Sequence, residues 1–141
     1  MEEREHLINT LCEQAVDRLA ADLPGREVAC LVVSDDVLRH VAHRGALRFI
    51  FELPRDLGGI VWRTAETGDV QIVPDVTVDP DYVASDGSVT SEICAPVRAG
   101  DRVVAVIDVE STRPFSERDA EAIVRTAERL TEELTRHYSY E

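Results

Sequence analysis

No lysine occurs anywhere in the chain; all 15 basic side chains among its 141 residues are arginine. That absence excludes Schiff-base chemistry on a lysine amine and any phosphate-cradling loop of the G-x-x-x-x-G-K-[ST] type. No apolar run approaches the roughly 18 residues needed to cross a bilayer, and Met1-Glu2-Glu3-Arg4-Glu5 does not read as a signal peptide. Cysteine is sparse and odd in number: Cys12, Cys30 and Cys94 are far apart and form no C-x-x-C pair. A zinc ribbon or thioredoxin-like motif is thereby excluded. Each cysteine lies within an apolar run, where a free thiol is expected to behave as a small buried hydrophobe. No serine has a G-x-S-x-G context, so a nucleophilic hydrolase has no support.

What is present is acid. Twenty-eight carboxylates give a formal net charge of -13, while 44% of residues are hydrophobic, too many for a disordered acidic tail. The length suits one domain spanning residues 1–141. So acidic a chain repels phosphate backbones and anionic lipid, so no nucleic-acid or membrane partner is expected, and a cytosolic location is.

The first segment, from about Glu3 to Leu23, has helical period, with Leu7, Leu11, Ala15, Leu19 and Leu23 on one row and Ile8, Cys12, Val16 and Ala20 beside it. Pro24-Gly25 closes it. Val28 to Val33 is a continuous apolar run, as in a strand buried on both faces, and Val37 to His43 follows the turn Ser34-Asp35-Asp36 as a second strand. Phe49 and Phe51 alternate around Ile50 ahead of a loop at Pro54. Ile60 to Thr67 reads as a short helix entered through Gly58-Gly59 and stopped by Gly68. Val70 to Val73 is a brief strand. From Pro74 to Thr90 the composition turns to Asp, Pro, Ser and Gly, and a connection that long is usually functional. Ser91–Val97 and Arg102–Glu110 flank Ala99-Gly100-Asp101 and should form a hairpin whose second strand is central. Ser116 with Asp119 three residues on resembles a capping box, opening a helix that runs to about His137. Strands joined by short turns, with helices gathered to one side, make an α+β layout with a mainly antiparallel sheet.

Carboxylates gather in the long loop and the hairpin: Asp75, Asp79, Asp81, Asp86, Glu92, Asp108 and Glu110. Asp79 and Asp81 are expected to be solvated. Glu92 and Asp108 sit inside strands among apolar residues, and a carboxylate there must find an arginine or a ligand. His40 and His43 are three apart on a strand, so they face opposite ways and cannot share a metal. Nor does any motif around them support haem. Trp62, Tyr82, Phe49 and Phe51 are either core or the walls of an apolar pocket.

Read in order, Gly59-Ile60-Val61, Ala65-Glu66-Thr67-Gly68, Val73-Pro74-Asp75-Val76, Asp79-Pro80-Asp81-Tyr82, Ser91-Glu92-Ile93-Cys94-Ala95-Pro96 and Val106-Ile107-Asp108-Val109-Glu110-Ser111 resemble a GAF domain. The resemblance implies a central antiparallel sheet of about six strands, with the first and last helices packed on one face. It also implies a small-molecule pocket on the other face, under the loop and short helix, and a homodimer through the terminal helices. The spacing is most similar to the single-domain free methionine-(R)-sulfoxide reductases. Their catalytic cysteine, seven residues before the glutamate of the Ser-Glu-Ile motif, corresponds to Ser85 here, with Asp86 following as in the family. A further family cysteine falls on Val61, and Trp62 stands where a glycine is usual. The substrate-gripping carboxylates correspond to Glu92, Asp108 and Glu110.

The resemblance thus keeps the binding carboxylates and drops the redox sulfur. The expectation is a non-catalytic sensory GAF domain binding a small cationic or donor-rich, amino-acid-like ligand, with no cofactor and no metal. The ligand-binding residues expected are Trp62, Asp75, Tyr82, Ser85, Asp86, Glu92, Cys94, Asp108 and Glu110. Two alternatives stay open: a sulfoxide reductase working through Cys94, and an inert dimerisation module with a filled core.

Overall fold

The computed structural model describes residues 2–46, 52–84 and 87–138. Phe49 and Phe51, and the site candidates Ser85 and Asp86, lie outside those residues. The described chain is α+β: helices α1 (Glu2–Asp22), α2 (Ile60–Thr67) and α3 (Glu117–Tyr138), with strands β1 (Glu27–Ser34), β2 (Val37–Arg44), β3 (Glu52–Pro54), β4 (Gln71–Val73), β5 (Ser91–Ala99) and β6 (Arg102–Ser111). The strands form one antiparallel sheet in the order β3-β2-β1-β6-β5-β4, which places the apolar β6 near the middle as its composition requires.

Period-2 alternation divides the strands' side chains between two cores. Val28 and Cys30 of β1, Ile93, Ala95 and Val97 of β5 and Ala105, Ile107 and Val109 of β6 turn toward α1 and α3. There they meet Ile8, Cys12, Ala15 and Leu19 of α1 and Ile123, Ala127, Leu130 and Leu134 of α3, so the apolar stripes of the terminal helices are covered. Ala29 and Leu31 of β1, Cys94 of β5 and Val106 of β6 turn the other way, under Ile60, Val61 and Trp62 of α2 and Val76 and Val89 of the long loop.

Local signals act where the spacing places them. At the start of α3 the capping box closes in both directions: the Asp119 amide donates to Ser116 Oγ at 3.1 Å, and the Ser116 amide to Asp119 Oδ2 at 3.0 Å. Gly68 ends α2 in the left-handed conformation at φ 74°, its amide donating to the Thr64 carbonyl. No helix among the described residues is long and apolar enough to cross a membrane.

Candidate functional site

The β5–β6 hairpin assembles an acidic cluster beneath α2. Register sets Cys94 opposite Asp108 and Glu92 opposite Glu110, and residues two apart on a strand share a face. All four therefore project toward the α2 side, next to Ala29 of β1, which pairs with Asp108. The Cys94 thiol lies 3.4 Å from Glu92 Oε2 and 3.3 Å from Asp108 Oδ1. Having one proton, it donates to only one carboxylate at a time. Glu92 is 4% exposed, Asp108 8% and Cys94 0%. One ligand atom from each of the three lies within 4.8 Å of the others, close enough to surround a single cation.

Electrostatics favour the protonated forms of Glu92 and Cys94. Burial pushes the Glu92 carboxyl well above the usual range, and the charge of Asp108, a hydrogen bond with it and the charge of Glu110 push the same way; the Cys94 hydrogen bond opposes them. Burial likewise raises the Cys94 thiol, followed by the charges of Asp108 and Glu92. Arginine pairing, one of the two expected fates of Glu92 and Asp108, does not occur for them among the described residues: their hydrogen-bond partners are Cys94 and each other. Cys94 is buried in the α2 core as expected, and its thiol there also faces two carboxylates. Cys12 and Cys30 lie in an apolar core, that of the terminal helices, on the opposite face of the sheet.

Above the cluster, α2 and the long loop are tied together by Arg63. Its guanidinium donates to Asp79 Oδ1 and Oδ2 at 3.0 and 2.8 Å, to Asp81 Oδ2 at 2.8 Å, and through Nε to Gln71 Oε1 at 3.0 Å. The Arg63 hydrogen bonds hold Asp79 below the usual carboxylate range. Asp79 and Asp81, expected to be solvated, are thus the anchor of the loop. A planar fork binds a carboxylate through two donors at once, which a flexible acidic loop offers readily. Gly59, at φ 100°, enters α2 where an added Cβ would lie 3.5 Å from Val83, so the loop also crosses the start of the helix.

The remaining candidates fall in several places. Trp62 is 1% exposed: its indole N–H donates to the Leu53 carbonyl at 2.8 Å, and the Arg55 guanidinium stacks 4.3 Å from the ring. Trp62 is thereby locked inside the α2 core, with no open face for a guest. Asp75 caps the short 3-10 turn Val76–Val78, accepting from the Thr77 amide at 3.0 Å and from its hydroxyl. Half-buried Tyr82 packs on the edge of the same core as Trp62, and Val61 is buried there. His43 pairs with Glu27 at 3.1 Å. Arg63 is the residue that sequence reasoning missed; its acidic partners were visible 16 and 18 residues downstream, but not the helix turn that aims it at them.

Comparison with known proteins agrees with this fold. The sequence model of the GAF domain matches residues 7–134. A free methionine-R-sulfoxide reductase from Saccharomyces cerevisiae is 40% identical over 53 residues, which make up 37% of this chain and 29% of that enzyme. The chain spans less than half the length of the curated relatives it matches. Among solved structures, a type II free methionine-R-sulfoxide reductase from Thermoplasma acidophilum superposes with a TM-score of 0.80 at 22% identity, covering 93% of this chain and 94% of that one. The corresponding reductase from Neisseria meningitidis, in complex with its substrate, gives 0.80 at 23% identity, covering 93% and 81%. Likeness at such identities establishes the fold alone.

Proposed function

The chain belongs to the GAF domain family, and from that premise we propose that it is a regulatory domain that binds a small molecule and does not transform it. The ligand carries an ammonium group and resembles an amino acid. The observation that carries this reading is the buried cluster of Glu92, Asp108 and Cys94, with Glu110 opposite Glu92. Glu92 and Asp108 sit in a low-dielectric site with no guanidinium among their described partners. An ammonium supplies three donors and a positive charge, and takes the place of the proton that Glu92 otherwise holds.

Two facts weigh against sulfoxide reduction. The reaction needs a thiolate to attack the sulfoxide sulfur and a second thiol to resolve the product. Cys94 is held as a thiol by burial and by two carboxylates, and Cys12 and Cys30 lie across the sheet from it. At the position the resemblance assigns to the catalytic cysteine stands Ser85, whose hydroxyl is a far poorer nucleophile toward sulfur.

A thermal-shift series tests the proposal. Free methionine and its sulfoxide should raise the melting temperature at millimolar concentration, since a ligand that binds only the native state stabilises it. N-acetylmethionine, which lacks the ammonium, should not, and Glu92→Gln should weaken the response at least tenfold. Equal stabilisation by the acetylated compound would sink the reading.

A second reading rests on the place of Cys94 inside the cluster: a reductase that uses this thiol in place of the missing one. Thiol-dependent turnover of free methionine sulfoxide that disappears in Cys94→Ser would establish it.

A further inference from the structure

A cavity opens on the face of the sheet opposite the acidic cluster, and we propose that it binds a soluble amphiphilic carboxylate. The proposal is independent of the ligand reading above. The cavity, of about 410 Å³, lies at the end of the terminal-helix core, where the first turns of α1 and the last residue of α3 meet the sheet. That volume falls in the range of sites that hold metabolite-sized ligands.

Its floor is apolar. Half-buried Val32, Val41 and Val104, from β1, β2 and β6, line it and pack against the terminal-helix core without being sealed by it. Its rim is cationic in a protein of net charge -13. Arg102 lines the rim, is exposed, and makes no hydrogen bond or ion pair among the described residues. Arg39, also on the rim, comes within 3.8 Å of Glu5 and 3.7 Å of Glu52, too far for a hydrogen bond to either. Glu5 lines the same rim and Arg39 is shared as an ion pair between Glu5 and Glu52, so Arg102 is the fork that stands open to an anion beside the apolar hollow.

Floor and rim specify the guest. Apolar floor and guanidinium rim together call for a hydrocarbon chain ending in a carboxylate. A purely ionic ligand leaves the valines uncovered, and a neutral hydrocarbon leaves Arg102 without a partner. The same charge balance excludes an anionic bilayer as the source of the headgroup, because the rest of the surface repels it.

The test is a titration of the full chain followed by amide NMR. Octanoate should shift the Val32, Val41 and Val104 amides in a saturable way. 1-Octanol and acetate, which carry the chain or the charge alone, should each bind at least fivefold more weakly. Arg102→Glu should weaken octanoate at least tenfold and leave octanol unchanged. Should Val104→Trp, which fills the hollow, compromise folding, Arg102→Glu still decides, since Arg102 is exposed and supports no partner. Octanol binding as tightly as octanoate, shifts confined to the α2 face, or an Arg102→Glu variant that binds octanoate like the parent would overturn the proposal.

Discussion

At the scale of single residues, Glu92 is where the fold works against itself. Its carboxyl is buried beside Asp108 and Glu110 and binds a proton more tightly in the folded chain than in the unfolded one. A carboxyl whose pKa rises on folding contributes fully to stability below its unfolded value, here 4.5, and that contribution is lost as pH climbs through the native value. Across that window the folded chain should lose up to about 1.4 kcal/mol per pH unit from this group alone. Glu92→Gln keeps the shape and removes the titration, so its stability profile should be flatter and should lie above that of the parent at pH 8. Urea denaturation midpoints between pH 4 and 8 measure the difference, and two parallel profiles would contradict the assignment. The same proton couples to ligand binding. An ammonium competes with it, so affinity should rise with pH over the window. The risk carried by Glu92 and Asp108 was legible in the sequence, because each acid interrupts an apolar strand. Cys94 entered the site through the family resemblance, and only the pairing of β5 with β6 sets it opposite Asp108.

Among elements, the Arg63 strap decides how α2 and the acidic loop behave together. Arg63 is partly buried and donates four hydrogen bonds across the joint, three of them to carboxylates. Bonds to charged partners contribute more than neutral ones, though the exposed Asp81 arm is discounted by solvent. Arg63→Ala should therefore cost about 1–2 kcal/mol of stability. Its clearer sign is local. The Asp81 and Tyr82 amides, which donate to Asp79 Oδ1 and the Asp79 carbonyl, should exchange with solvent at least tenfold faster while amides of the β5–β6 hairpin keep their protection. Uniform acceleration across the chain would mean that the arginine supports the whole fold rather than the loop. Elements with their own periodicity or punctuation were readable in advance: α1 and α3 from apolar rows, α2 from the glycines at its ends, the β5–β6 hairpin from its turn. The strap was not, because an Asp-rich loop looks the same in a sequence whether water or a guanidinium faces it.

For the whole molecule, the open question is how two copies would meet. Residues 7–134 match the GAF domain, and the homodimer through α1 and α3 that the resemblance implies is a proposal with a definite physical character. The large exposed apolar side chains among the described residues, Leu57, Val70, Ile72 and Val78, all lie away from the terminal helices. The exposed face of α3 instead carries Glu121, Arg125, Glu128, Arg129, Glu132 and Arg136. Laid antiparallel against its copy, such a face sets glutamates against arginines, so the contact would be ionic and not an extension of the core. Two effects of salt then compete. Each copy carries a formal charge of -13, and their mutual repulsion falls as ionic strength rises, but at 0.15 M the screening length is already about 8 Å and most of that repulsion is gone. Further salt therefore acts mainly on the close ion pairs. The dimer should weaken between 0.15 and 0.5 M NaCl, and Arg125→Glu should weaken it at 0.15 M, both followed by sedimentation velocity. A dimer indifferent to salt and to Arg125→Glu would have to be built on another surface, the exposed valines and isoleucine around β4 being the apolar alternative.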